Sequence, residues 1–196
     1  MERNNESFAL ISDKDIQELN DVRTKLEQTL MTKLRNAGIY FHSMSRVKTL
    51  TSLQRKLDTG KYGTGKDDKK IQDLIGIRIN LFYTEDIRIS EALLEDTFMV
   101  DNWSKTAWEE NRFEAQKCNG VFKIPSKYLI NISDQLWEQP FDRTFEVQLR
   151  TVLFEGWHEI EHEMRYKYKM DEGFDDNRSS LWDGQEKDAR MMNSII

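Results

Sequence analysis

The sequence predicts one α+β domain over residues 1–196, a mixed β-sheet flanked by helices. Two observations lead to this prediction. Segments with helical and strand-like patterns alternate along the chain, and no repeat, clear linker or low-complexity tract separates them. Hydrophobic residues make up 38 % of the sequence and include five Trp and ten Phe, which is enough to build a core although 33 % of the residues are charged.

Three parts of the chain follow from the local patterns. Apolar residues at helical spacing from Ile16 to Leu34 predict an N-terminal helix over about 13–37, with Ser12 as its N-cap and Gly38 as its stop. We expect the core of the domain over about 39–170 and a C-terminal helix over about 180–194.

The core is predicted to hold both helices and strands. The segments "GIYFHSMSRVK", "IGIRINLFY", "GVFKI" and "RTFEVQLRT" have the composition or the alternation of strands. Helices are expected at "TLTSLQRKLDTG", which Gly60 ends, at residues 84–97, and from Val152 to about Lys169. The predicted buried side of the helix at 84–97 is Ile87, Ile89, Leu93 and Leu94.

Composition narrows the cellular setting. The single Cys118 cannot form an internal disulfide and suits a reducing compartment. No apolar run is long enough to span a membrane, and the first residues lack the core of a signal peptide. We therefore expect a soluble, cytoplasmic protein that does not bind a membrane.

Positive charge is concentrated in one stretch of an acidic protein. Residues 46–70 hold eight Lys or Arg against three Asp, although the whole chain carries a net charge of −6. The overall charge argues against a surface that coats nucleic acid, whereas a local cationic site suits a polyphosphate. A solvated helix and loop would explain the same charges. The pattern G-x-x-x-x-G-K-[ST] is absent, which excludes a P-loop kinase.

Two carboxylates and one arginine lie in strongly apolar surroundings. Asp73 directly precedes the strand "IGIRINLFY", and Glu146 lies inside "TFEVQLRT". If these strands are neighbours, both carboxylates could share one Mg²⁺ together with substrate phosphates. Arg78 interrupts a strand that otherwise reads as buried, so it needs either an acidic partner or a ligand.

Three blocks in this order resemble the synthetase domain of the RelA/SpoT family, the (p)ppGpp alarmone synthetases. The blocks are "SRVKTLTSLQRKL", "IQDLIGIRI" and "FEVQLRT" followed by "GWHEIEHEMRYKYK". The length resembles that of the stand-alone small alarmone synthetases. The resemblance implies a nucleotidyltransferase-like mixed sheet. It also implies transfer of pyrophosphate from ATP to the ribose 3′-hydroxyl of GDP or GTP, with release of AMP.

The resemblance also implies roles for individual residues. Arg46, Lys48, Ser52 and Lys56 match the R-x-K-x₃-S-x₃-K block that holds the ATP phosphates, and Arg46 and Arg78 would flank the adenine. Asp73 would ligate Mg²⁺, and Glu146 would bind the metal or help to deprotonate the attacking hydroxyl. Gln148 and Arg150 complete the E-x-Q-x-R-T strand and are assigned to the acceptor.

The same family explains part of a second motif. His158 to His162 spell H-E-x-x-H, which on a helix could bind zinc. The family helix carries W-x₃-E-H-x₃-Y-K, which accounts for Glu161 and His162 and leaves His158 as the additional residue. A third zinc ligand would have to be His42 or an acid such as Glu186. We therefore interpret the motif as accidental.

The acceptor motif departs from the family pattern. The family has G-Y-R-S-x-H, whose tyrosine stacks on guanine, whereas this chain reads "CNGVFKIPSKYL" with Val121 in the tyrosine position. Phe122 or Tyr128 could offer a replacement stacking surface, and Phe122 is the predicted acceptor contact. An aromatic cluster of Trp103, Trp108, Phe113 and Phe122 is expected to belong to the core.

This departure leaves the acceptor open between a guanine nucleotide, an adenine nucleotide and the 3′-end of a tRNA, as in toxic members of the family. A toxic member would need an antitoxin protein as partner. A catalytically silent nucleotide-binding module is the alternative to an enzyme, although such a module has no need of both Asp73 and Glu146. The apolar end "ARMMNSII" suits either a homo-oligomer contact or a domain cut from a longer chain.

Overall fold

The computed structural model describes residues 11–65, 68–105, 118–153 and 155–156. Over these ranges the elements are α1 (Asp13–Asn36), β1 (Phe41–Val47), α2 (Leu50–Asp58), β2 (Ile75–Leu81), α3 (Asp86–Thr97), β3 (Val100–Lys105), β4 (Cys118–Lys123), a 3-10 helix (Ser126–Tyr128), α4 (Asp134–Glu138) and β5 (Thr144–Thr151). No helix in the described ranges is long and apolar enough to cross a membrane.

Five strands form one mixed sheet in the order β1-β2-β5-β4-β3. β2 and β5 are parallel neighbours at its centre. All the other pairs are antiparallel. The predicted mixed sheet with flanking helices is therefore confirmed. The strand that follows Asp73, β2, and the strand that carries Glu146, β5, are neighbours, as binding of one Mg²⁺ by both carboxylates would require.

Strict alternation in the two central strands separates an apolar face from a polar face. Every second side chain is buried, and these are Ile75, Ile77, Ile79 and Leu81 in β2 and Phe145, Val147 and Leu149 in β5. The intervening side chains of both strands are only partly buried. Because side chains alternate along a strand, one face of the sheet builds the core and the other is left for polar groups.

The apolar face is covered by α1 and α3. α1 begins at the N-cap Ser12, whose hydroxyl accepts a hydrogen bond from the Asp15 amide at 3.1 Å, as the sequence predicts. The helix buries one stripe of side chains at helical spacing: Leu19, Val22, Leu26, Leu30, Met31 and Leu34. Gly38 follows with φ of 76°, the left-handed conformation that ends a helix at low cost in glycine.

One detail of the predicted core is wrong. α3 buries Ile87, Ser90 and Leu94, whereas the side chain of Ile89 is 49 % exposed. Residues three and four apart share a helix face, so 87, 90 and 94 turn towards the sheet together and 89 turns away. Gly60, the predicted stop of α2, has φ of 67° just after the helix and fits its predicted role.

Candidate active site

The polar face of the sheet collects five of the ten predicted site residues. It is formed by the side chains of alternate residues: His42, Met44 and Arg46 in β1, Gly76, Arg78 and Asn80 in β2, Glu146, Gln148 and Arg150 in β5, and Asn119 and Val121 in β4. Neighbouring strands lie about 4.8 Å apart, so side chains in one row across the sheet are within contact distance. The strand pairing therefore brings together residues that are up to about a hundred positions apart in the chain.

One row across this face runs from Arg46 through Gly76 and Glu146 to Val121. Gly76 is the gap in the row, because no atom of the described residues lies within 4 Å of the position that a Cβ would occupy there. Glycine inside a strand weakens the strand and often marks a place where a ligand approaches the backbone. The gap therefore leaves room for a ligand between an arginine and a carboxylate.

A compact cluster of charges lies beside this row, where β1 passes into α2. The Lys48 ammonium donates to Asp73 Oδ2, and the Lys56 ammonium donates to both Asp73 oxygens at 2.7 and 2.8 Å. The Lys48 amide continues the ladder beyond β1 by donating to the Leu74 carbonyl at 2.8 Å, which fixes the approach of the two segments. The cluster carries two positive charges against one negative charge and so retains one positive charge for an anion.

Ser52 lies in the first turn of α2, next to this cluster in sequence. Thr49 is the N-cap of α2, and its hydroxyl accepts from the Ser52 amide at 3.3 Å and donates to Ser52 Oγ at 2.9 Å. Ser52 and Lys56 are four residues apart and share one helix face, while Leu53 is turned into the core. The first turn of α2, with its backbone amides and the Ser52 hydroxyl, is suited to an anion, and Lys56 lies on the same side of the helix in its last turn.

The protonation of the cluster follows from its contacts. Burial alone raises the pKa of the Asp73 carboxyl, but hydrogen bonds and charge from Lys48 and Lys56 outweigh it, and the pKa is lowered. Burial is also the largest influence on both lysines: the pKa of Lys48 is lowered, whereas the contact with Asp73 raises the pKa of Lys56. Asp73 is therefore a carboxylate at neutral pH, as a metal ligand must be.

The second carboxylate, Glu146, is held by two amide side chains. Asn119 Nδ2 donates to Glu146 Oε1 at 2.8 Å, and Gln148 Nε2 donates to Glu146 Oε2 at 2.8 Å. Both amides are in turn bound by arginines, because Arg78 Nε donates to Gln148 Oε1 at 3.0 Å and Arg150 Nη2 donates to Asn119 Oδ1 at 2.8 Å. Glu146 is thus fixed from two sides without direct contact with either guanidinium group.

The two arginines have different surroundings. Arg78 also forms an ion pair with Glu155, at the beginning of the helix that follows β5. Arg150 donates to the carbonyls of Leu149 at 2.7 Å and Cys118 at 3.4 Å. Burial, and next the charge of Arg78, lower the pKa of Arg150, so positive charge is held on this face against repulsion. A bound anion would relieve that repulsion.

Phe122 requires a correction. Its side chain is 0 % exposed and lies on the apolar face, where its ring centroid is 5.4 to 6.3 Å from those of Phe98, Trp103 and Phe145. Alternation in β4 puts Val121 on the polar face and therefore turns Phe122 away from it. This placement argues against the predicted contact of Phe122 with an acceptor. It agrees with the core prediction for Phe122 and for Trp103, which is partly buried against the core.

The two carboxylates do not share a partner within the described contacts. Asp73 is bound by lysines and Glu146 by amides, so joint binding of one Mg²⁺ stays a prediction. Among the described residues, no group of three or more His, Cys, Asp or Glu side chains is arranged to hold a metal ion. The motif at 158–162, Trp108, Phe113 and the predicted helices beyond residue 156 lie outside the described residues.

Three residues of the site escaped the sequence reasoning. Asn119 and Gly76 lie on the polar face and Glu155 pairs with Arg78. Alternation could have revealed Asn119, because it lies two residues before Val121 in the same strand and must therefore share the face of Val121. The partner of Arg78 comes from a helix that no local pattern aligns with β2, so the sequence held no signal for it.

Thiol chemistry is not available at this site. Burial first, and then the hydrogen bond to the Glu91 carboxylate, raise the pKa of the Cys118 thiol to about 12. Cys118 Sγ donates to Glu91 Oε1 at 2.9 Å. Because the thiolate is the reactive form of cysteine, this residue is not a nucleophile at neutral pH.

Comparison with known proteins decides the family. The family model described as the region found in RelA / SpoT proteins matches residues 45–171, which is more than half of the chain. The chain belongs to the RelA/SpoT family. Its matched region contains the charge cluster and the whole polar face from Arg46 onwards. A comparison of the sequence with curated proteins gives no match.

Solved structures share the fold of this RelA/SpoT protein. The small alarmone synthetase 2 from Bacillus subtilis matches with a TM-score of 0.62 at 18 % identity, covering 94 % of each chain. The small alarmone synthetase 1 from the same organism, bound to its product pppGpp, matches with a TM-score of 0.57 at 20 % identity, over 92 % of this chain and 90 % of the other. A GTP pyrophosphokinase family protein from Streptococcus pneumoniae gives 0.53 at 19 % identity, over 93 % and 87 %.

The charge cluster yields a test that needs no turnover. Asp73 occupies the two lysines that a triphosphate would use, so Asp73→Asn should strengthen binding of metal-free ATP by roughly fivefold to tenfold, the scale of a partly exposed ion pair. Binding is measured by calorimetry in EDTA. Asp58→Asn removes an equal charge from the exposed end of α2 and is the matched control. Equal gains in both variants, or weaker binding in Asp73→Asn, would contradict the assignment of the lysines to phosphate.

Proposed function

We propose that this RelA/SpoT protein is an ATP-dependent pyrophosphokinase. It transfers the β,γ-pyrophosphate of ATP to the ribose 3′-hydroxyl of GDP or GTP and releases AMP. The observation that carries the proposal is a cluster of two lysines and one carboxylate, Asp73, with one positive charge in excess, beside a face on which Glu146 is held by neutral amides. Phosphoryl-type transfer needs such a division, with cations at the donor phosphates and a carboxylate at the attacking hydroxyl.

The adenine would lie between Arg46 and Arg78. The two arginines are on adjacent antiparallel strands, offset by two residues, because Arg46 is opposite Gly76. Diagonal neighbours of this kind are separated by about 7 Å. That separation leaves room for one flat base between two guanidinium planes, with one plane stacked on each face of the base. Gly76 leaves the floor of that space open. Stacking between guanidinium planes suits any purine, so the choice of ATP has to come from elsewhere.

The triphosphate would extend from there to Lys48, Ser52 and Lys56. Their ammonium and hydroxyl groups donate hydrogen bonds, and the beginning of α2 adds its dipole. The lysines would exchange Asp73 for phosphate oxygens, which releases the Asp73 carboxylate. Binding of the triphosphate is thereby coupled to the freeing of a carboxylate ligand.

The chemical step is a displacement at the β-phosphorus. The acceptor 3′-oxygen forms a bond to Pβ while the bond from Pβ to the oxygen shared with Pα breaks, and AMP leaves with that oxygen. The acceptor proton passes to a Glu146 oxygen and from there to solvent. Glu146 keeps lone pairs for this proton, because its two amide contacts use only part of the acceptor capacity of a carboxylate.

Mg²⁺ is the metal that these residues would suit. Carboxylates are the hard oxygen ligands it prefers, and it binds by one or two of them together with substrate phosphates rather than in a complete protein cage. Asp73 and Glu146 are two such carboxylates, the first bound by lysines and the second by amides. Asp73 and Glu146 would hold the ion, which would neutralise charge on the phosphates.

Val121 leaves the acceptor less constrained than the donor. It lies opposite Glu146 in the antiparallel pairing of β4 with β5, so its side chain is next to the carboxylate that we propose as the general base. Valine offers apolar contact but no ring for stacking. An adenine nucleotide or the 3′-end of a tRNA is therefore a second candidate acceptor, because the feature that would select guanine by stacking is missing at this position.

An acceptor panel tests the proposal. The full chain, Mg²⁺ and ATP labelled in the β-phosphate are offered GDP, GTP, ADP and bulk tRNA, and label transfer and AMP are measured by chromatography. We expect label in GDP or GTP with one AMP per transfer, and loss of both in Glu146→Gln. Transfer only to tRNA or ADP would support the second candidate and contradict the guanine acceptor. No transfer and no AMP would overturn the enzyme and favour a silent nucleotide-binding module.

Gly76 supplies a graded test of the donor site. Gly76→Ala and Gly76→Val should fold as stably as the unchanged protein or better, because the added atoms meet no described residue and strands favour β-branched side chains. The KM for ATP should rise in both, by about tenfold or more in Gly76→Val, since the side chain fills the space assigned to the base. Urea unfolding and initial rates measure the two effects. An unchanged KM for ATP in Gly76→Val would contradict the placement of the adenine over Gly76.

A further inference from the structure

Asn119 is the residue of the polar face whose contacts go beyond any role assigned so far. It lies in β4 next to the departure from the family acceptor motif, and only 8 % of it is exposed. A buried amide is costly unless both of its ends are bonded. Both ends are bonded here: Nδ2 donates to Glu146 and Oδ1 accepts from Arg150.

Arg150 determines which way this amide faces. A guanidinium group only donates hydrogen bonds, so it can bind the oxygen of Asn119 and never its NH₂ group. With the oxygen committed to Arg150 at 2.8 Å, the NH₂ group must turn to the opposite side, where it meets Glu146 Oε1 at 2.8 Å. Asn119 therefore passes on the orientation that Arg150 imposes and adds no charge at Glu146.

Gln148 repeats this arrangement from the other side. Arg78 binds its oxygen at 3.0 Å, and its NH₂ group meets Glu146 Oε2 at 2.8 Å. Direct contact of either arginine with Glu146 would stabilise the ionised carboxylate more strongly and make it a weaker base. Two arginines acting through neutral amides fix the carboxylate plane without contacting Glu146 themselves.

We infer that Asn119 is a positioning residue of the transfer reaction: oriented by Arg150, it holds the Glu146 carboxylate in the plane from which an unbound lone pair receives the acceptor proton. This inference rests on the proposed function and deepens it. It assigns Asn119 to Glu146 rather than to the nucleotide. Displacement of a reacting group by about 1 Å can cost about 10²-fold in rate, so loss of one of the two amides should reduce kcat on that scale.

The experiment uses Asn119→Asp in the full chain. Aspartate keeps an oxygen for Arg150 and removes the NH₂ donor, so it breaks only the contact with Glu146. It also puts a second carboxylate beside Glu146, and two carboxylates that share a site are harder to keep ionised together. We expect kcat to fall about 10²-fold, KM for ATP to stay unchanged, and the acid limb of the pH–rate profile to move to higher pH.

The matched control is Asn131→Asp, which makes the same substitution at an exposed turn. Rates are measured against pH and against each substrate, beside urea unfolding. If Asn119→Asp does not fold, Asn119→Ala replaces it, and a fall in kcat with unchanged KM for ATP and for acceptor is then the expected result.

The outcomes separate the two proposals. If Asn119→Asp has the same kcat and pH profile as Asn131→Asp, the positioning role is overturned. Transfer by the unchanged protein would still uphold the proposed function. A higher KM for the acceptor with unchanged kcat would assign Asn119 to acceptor binding and also overturn it. Absence of transfer by the unchanged protein would overturn the proposed function, and this inference with it.

Discussion

Parallel pairing of β2 with β5 is the constraint on which the rest of the site depends. The register sets Gly76 beside Glu146 and Arg78 beside Gln148. A slip of one residue would turn every side chain of a strand to the other face, so isoleucines would meet the ligand and Arg78 would enter the core. The buried side chains of both strands, from Ile75 to Leu81 and from Phe145 to Leu149, thus hold the groups of the candidate site in place indirectly. Stability of the core and geometry of the site come from the same alternation.

Charge on the polar face is divided into two groups with different bonding. Lys48 and Lys56 contact Asp73 directly, so this group can exchange its internal anion for a phosphate. At Glu146 each arginine binds an amide side chain that in turn donates to the carboxylate, and the carboxylate keeps lone pairs for a proton. In the proposed reaction, donor binding and proton transfer would therefore be served by different kinds of contact.

Sequence patterns predicted the elements better than the contacts between them. The bounds of α1 and β2 follow from local signals, since Ser12, Gly38 and strict alternation act within a few residues. Ile89 was misplaced because one apolar residue too many made the stripe of α3 ambiguous. Phe122 was predicted to replace the missing tyrosine because the alternation that turns it away from Val121 was not taken into account. The bonding of Asn119 depends on an arginine 31 residues away, which no local pattern contains.

The most direct measurement is a crystal structure of the full chain with Mg²⁺ and an α,β-methylene analogue of ATP, which lacks the bond that the reaction breaks. We predict the base between Arg46 and Arg78 over Gly76, the phosphates on Lys48 and Lys56, and an Asp73 carboxylate that has left both lysines. A triphosphate bound away from these lysines, or an Asp73 still bound to both of them beside the analogue, would contradict the assignment of the polar face to pyrophosphate transfer.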